Sequence, residues 1–90
     1  MHWLTRAANQ GDVESQYSLG SVLYEGKLVP RDHVAAGQWI LLAAGSDHSE
    51  ARRLLKEMEL FLSASDLAAA RKRAEAFKPA PRNATTGKDN

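Results

Sequence analysis

The chain has no cysteine, only three prolines and no long apolar run. The first absence removes disulfides, thiol catalysis and thiolate metal sites together, and leaves the compartment open, because either redox setting tolerates a cysteine-free protein. The prolines stand at 30, 79 and 81, so long segments between them are free to be helical. No stretch approaches the roughly 18 consecutive apolar residues of a membrane-spanning helix, and the polar N-terminus holds no signal-like hydrophobic run. Charge of one sign is scarce too: the net charge is +1, with three bases against five acids in residues 1–49 and nine against six in residues 50–90. That mild gradient falls short of the strongly basic face of a dedicated nucleic-acid binder. The chain therefore reads as soluble and cytoplasmic, without a membrane partner and with nucleic acid an unfavoured one.

What is present is helical. Ninety residues make one domain, and strand signals are missing. From Asp12 to Glu25, Ser15, Leu19, Val22 and Leu23 recur at helical spacing, and Gly26 follows where a left-handed C-terminal cap belongs. From Asp32 to Ala44, one broad stripe holds Ala35, Ala36, Trp39, Ile40, Ala43 and Ala44, with Gly45 as the expected stop. Asp47 and Glu50 have the spacing of an N-cap and its reciprocal partner. Beyond them Ala51, Leu54, Leu55, Met58, Phe61 and Leu62 form the clearest amphipathic pattern of the chain. A last helix follows Ser63–Asp66, with Leu67, Ala70, Ala74 and Phe77 on one face, and ends before Pro79. With the short segment around Trp3 to Gln10, about five helices are expected, joined by connections short enough to make antiparallel hairpins. Residues 79–90 carry no large apolar side chain and read as a disordered tail.

Two stretches repeat. Trp3, Ala7 and Ala8 recur thirty-six positions later as Trp39, Ala43 and Ala44, and the same shift aligns Glu14 with Glu50, Ser15 with Ala51, Leu19 with Leu55 and Val22 with Met58. Apart from the glutamates, every matched position is small or apolar on the expected inner face, so the repeat encodes packing. The expected core is Leu19, Gly20, Ala36, Trp39, Ala43, Ala44, Leu54, Leu55 and Met58.

The run GDVESQYSLGSVLYEGKLVPRDHVAAGQWILLAA resembles a Sel-one-like repeat, a tetratricopeptide-related unit. The resemblance is carried by Gly11, Ser15–Gln16, Leu19–Gly20, Leu23, Gly26, Asp32, Ala36, Trp39 and Ala43–Ala44. Departures are Ser15 where alanine is usual, a connector without the usual Gly-Val, and Asp47 and Lys56 in the second unit where glycines would stand. The resemblance implies an all-α fold: an α-solenoid of antiparallel helix hairpins with a right-handed, tetratricopeptide-like superhelix. It sets the domain at residues 1–78, with one complete repeat at about 11–46, a half repeat before it and a C-terminal capping unit after it.

The resemblance also implies a non-catalytic adaptor that binds a peptide or protein surface in a concave groove. Groove residues would come from the first helix of each hairpin: Gln16, Tyr17, Tyr24 and Arg53. A second expected surface is the N-terminal edge, where the half repeat leaves Trp3, Leu4 and Tyr17 available for self-association as a homodimer. Two other readings are a small inhibitory or nucleic-acid-associated protein working through Arg71–Lys72–Arg73 with Arg52, Arg53 and Lys56, and the terminal cap of a larger solenoid.

Signs of catalysis are weak. His2, His33 and His48 fall in different elements without a second ligand at i+4, and no phosphate loop, nucleophile elbow or metalloprotease signature occurs. Asp32–His33 and Asp47–His48 read as helix starts, each aspartate capping and each histidine its exposed neighbour. No catalytic residue, metal or cofactor is expected.

Overall fold

The structure is a computed structural model that describes residues 2–27 and 29–79. Among these residues there are five helices and no strand: α1 (His2–Asn9), α2 (Val13–Glu25), α3 (His33–Gly45), α4 (Ser49–Phe61) and α5 (Ala64–Ala76). Residues 80–90, most of the expected tail, lie outside the described part.

The thirty-six-residue shift is structural as well as sequential. It carries α2 onto α4 from end to end. It also carries the turn before α2 onto the turn before α4. After α1, Gly11 takes φ 95°, its N–H donates to the Ala8 carbonyl and the Asp12 N–H to that of Ala7. After α3, Asp47 takes φ 65°, its N–H donates to Ala44 and the His48 N–H to Ala43. Both are Schellman closures, in which a left-handed residue ends one helix and the next residue begins another. Asp12 is that next residue in the first turn and accepts from the Ser15 N–H at 2.9 Å. His48 is its counterpart and accepts from the Ala51 N–H through Nδ1 at 3.1 Å.

This corrects two expectations. The stop of α3 is Asp47 and not Gly45, which is the last helical residue. The N-cap of α4 is His48 and not Asp47, because a residue in the left-handed region cannot also hold the extended conformation that an N-cap requires. Elsewhere the caps follow the expected chemistry. Asp32 caps α3 and Ser63 caps α5, while Gly26, at φ 69°, closes α2.

At the centre lies α3, apolar nearly all round and buried at Ala36, Gly37, Trp39, Ile40, Ala43 and Ala44. The other helices meet it where side chains are smallest. A methyl group on Gly20 of α2 would stand 2.7 Å from two side-chain carbons of Ile40 and 3.2 Å from the Ala36 carbonyl. One on Gly37 would stand 2.8 Å from the Ala70 methyl of α5. Two contiguous apolar clusters result. One joins Ile40, Met58, Leu62 and the alanines Ala36, Ala43 and Ala51. The other joins Ala8, Leu19 and Trp39 to Leu4, Leu42 and Phe77, with the Phe77 ring edge-on to the Trp39 indole at 5.5 Å.

Of the expected core, Leu19, Gly20, Ala36, Trp39, Ala43, Ala44 and Met58 are buried, whereas Leu54 and Leu55 are only half-buried. Phe61 departs further, at 72% exposure. The chain turns to extended backbone at Leu62, which takes the buried place at 7% exposure, and α5 then runs back along α3, leaving the last turn of α4 uncovered.

Substituting Gly20 by alanine should cost about 1–2 kcal/mol in urea unfolding, since overpacking outweighs the gain in helix propensity. Gly45→Ala meets nothing within 4 Å and should be neutral or stabilising by up to about 1 kcal/mol. Equal effects at the two positions would show that the α2–α3 approach is not tight.

Candidate functional site

The shift that superposes α2 on α4 also makes them parallel neighbours. Their starts are tied by His48, whose Nε2 lies 2.9 Å from Glu14 Oε2 and whose ring stacks on Tyr17 with centroids 4.6 Å apart. Because Nδ1 accepts from the Ala51 N–H, the neutral ring carries its proton on Nε2 and donates it to the Glu14 carboxylate. The His48 side chain is 8% exposed, that of Glu14 76%. One imidazole thus caps α4, binds α2 and supports Tyr17.

Between the two helices runs a shallow groove with two hollows. The first, about 290 Å³, is lined by Tyr17 of α2 and by Glu50, Arg53, Leu54 and Glu57 of α4. The second, about 330 Å³, is lined by Tyr24, Glu25, Arg31, His33 and Phe61. Glu57 links them, because the Tyr24 hydroxyl hydrogen-bonds its carboxylate. Burial, together with the charge and hydrogen bond of Glu57, raises the Tyr24 phenol above the ordinary tyrosine value, and the nearby Arg31 partly opposes this. The His33 ring, half-buried, lies 5.6 Å from that of Tyr24, and the Arg31 guanidinium donates to the Glu25 carbonyl at 3.3 Å.

Of the residues expected in the groove, Tyr17, Tyr24 and Arg53 line it. Gln16 does not. It is 3% exposed and its side-chain amide donates to the Ala8 carbonyl at 3.2 Å, because α1 folds back over this part of α2 and leaves a carbonyl there to satisfy. The expected N-terminal edge also divides. Trp3 is 77% exposed and shares a hollow with Arg6, Ala7 and Gln10. Leu4 instead packs inward on the Ala8–Leu19–Trp39 cluster, and Tyr17 belongs to the α2–α4 groove, one turn past the α1–α2 bend and on another face. The histidines expected as exposed neighbours are a cap and a groove wall.

Sequence reasoning missed Phe61, Leu54, Glu57, Arg31 and His33 as groove residues. The signal for Phe61 was available in the repeat, since the same shift places it at Glu25, a position with no apolar requirement. On α5, Arg71 pairs with Glu59 at 3.3 Å, while Lys72 and Arg73 are exposed. Among the described residues no group of three acids or histidines could hold a metal ion, and no helix is long and apolar enough to cross a membrane.

Stacked antiparallel hairpins repeating at thirty-six residues define a helical-repeat protein, a tetratricopeptide-like solenoid. A match to the Sel1 repeat covers residues 1–12 and 13–48, more than half of the chain, and the protein belongs to that family. The family is one of protein-interaction modules, typically non-catalytic. No curated protein and no solved structure shows a significant match.

Replacing His48 by alanine should destabilise the protein by about 1–2 kcal/mol through loss of the cap, with His48→Asp recovering most of it and Glu14→Ala costing less than about 1 kcal/mol. Urea unfolding of the three variants checks this. In Glu57→Gln the Tyr24 phenol should ionise at lower pH than in the parent, followed by ultraviolet titration. The direction follows from removing the negative charge, which disfavours the phenolate, while the glutamine carbonyl can still accept from the phenol. Stability held by that neutral form is intact below the ordinary tyrosine value and is lost as pH rises through the raised one.

Proposed function

We propose that the chain is a non-catalytic adaptor and that the α2–α4 groove is its protein-binding face. The observation that carries this reading is the exposure of Phe61, at 72%, beside Tyr24 in a hollow that also offers a guanidinium and an imidazole. A large aromatic held open at the end of a rigid helix, with hydrogen-bonding groups around it, has the makeup of an interface anchor. Arg53, exposed on the same wall, adds a fork of donors for a carboxylate or carbonyl.

The test is affinity purification with the intact chain and with two paired variants. Phe61→Ala with Arg53→Glu should weaken capture of a partner at least ten-fold, while Lys72→Glu with Arg73→Glu on α5 leaves it unchanged. The reverse pattern, together with capture that falls steeply with salt, would assign binding to the basic helix and a polyanion.

A further inference from the structure

We infer that the groove takes a short amphipathic helix presenting two bulky apolar side chains seven residues apart. This rests on the groove being the binding face, and adds the chemistry of what occupies it.

The two hollows are built alike. Each sets a tyrosine of α2 against an apolar residue of α4, Tyr17 against Leu54 in the first and Tyr24 against Phe61 in the second. Tyr17 and Tyr24 are seven residues apart, and so are Leu54 and Phe61. Since α2 and α4 run in the same direction, the hollows are separated by seven helical rises, about 10.5 Å. A ligand helix lying along the groove repeats that distance at i and i+7, with the two side chains within about 20° of the same face. A β-extended peptide reaches a similar distance at i and i+3, but those side chains point to opposite faces, and only one could enter. A polyproline II segment keeps its third residues on one face and spans about 9.3 Å, short of the second hollow by about 1 Å.

The charges along the walls agree with a helix of mixed polarity. Glu50, Arg53 and Glu57 border the first hollow, Glu25, Arg31 and His33 the second. Each hollow is bordered by both acidic and basic side chains, so neither a polyanion nor a polycation is selected, and a helix with both signs flanking its apolar seam meets an opposite charge at each hollow.

Selection of a random 16-residue peptide display library on the full chain tests the inference, followed by fluorescence anisotropy and circular dichroism of the synthetic binders. Binders should carry apolar residues at i and i+7 and become helical on binding. Moving one of the two to i+5 should weaken binding at least ten-fold, as should Phe61→Ala in the protein. Binders that depend on Phe61 but carry anchors three residues apart in a non-helical segment would overturn the helix and leave the binding face intact. Binders indifferent to both Phe61→Ala and Arg53→Glu, or no binders at all, would overturn the binding face itself.

Discussion

The fold depends on how closely α3 can be approached. Where Gly20 faces Ile40, the α2 backbone comes within a distance that no Cβ could share, and Gly37 lets α5 do the same from another side. A small chain buries a smaller fraction of its surface than a large one, so it gains most by drawing backbones together around one central helix. Alanines at 36, 43, 44, 51 and 70 keep the spacing tight, and a few large residues, Trp39, Ile40 and Met58, fill what remains. The consequence extends to the surface. With α3 holding α2 and α4 at fixed positions, the line where those two meet is set to within the packing of the core.

The same constraint explains why the two units do not end alike. Lys56 occupies in α4 the position that Gly20 occupies in α2, and Glu59 that of Leu23. A helix cannot settle on α4 as α3 settles on α2, because a lysine side chain stands where the closest approach would be and a carboxylate where an apolar contact would be. The segment after α4 takes the alternative that the smallest residues offer. It crosses to α3, seats Ala70 against Gly37 and reaches Trp39 with Phe77. Glu59, freed from packing, accepts from Arg71 on the way.

Most of the helical layout was legible because it rests on local chemistry: apolar spacing of three and four, Asp12, Asp32 and Ser63 before helices, Gly26 after one. Asp47 and His48 were harder to place. Aspartate is a common N-cap and histidine a rare one, so propensity favoured Asp47. The repeat carried better information, because Asp47 aligns with Gly11 and His48 with Asp12, which assigns the left-handed turn to the first and the cap to the second. Gln16 and Phe61 were misplaced for a different reason. Helical periodicity says which residues share a face but not which neighbour covers it, and the path of α1 over α2 and of α5 away from α4 decided both.

The candidate site follows from the repeat more than from any motif. A translation of thirty-six residues brings two similar helices side by side and parallel, so residues seven apart on one face those seven apart on the other. Core packing consumes the positions that look toward α3, and the ladder between α2 and α4 is what it leaves over. There the two copies have diverged: Tyr17 aligns with Arg53, Tyr24 with Leu60 and Glu25 with Phe61. Positions that look toward α3 could not vary in this way without disturbing the approach at Gly20. Residues that face the groove could, and the aromatic rings, carboxylates and guanidinium groups gathered there are the part of the sequence that packing does not explain.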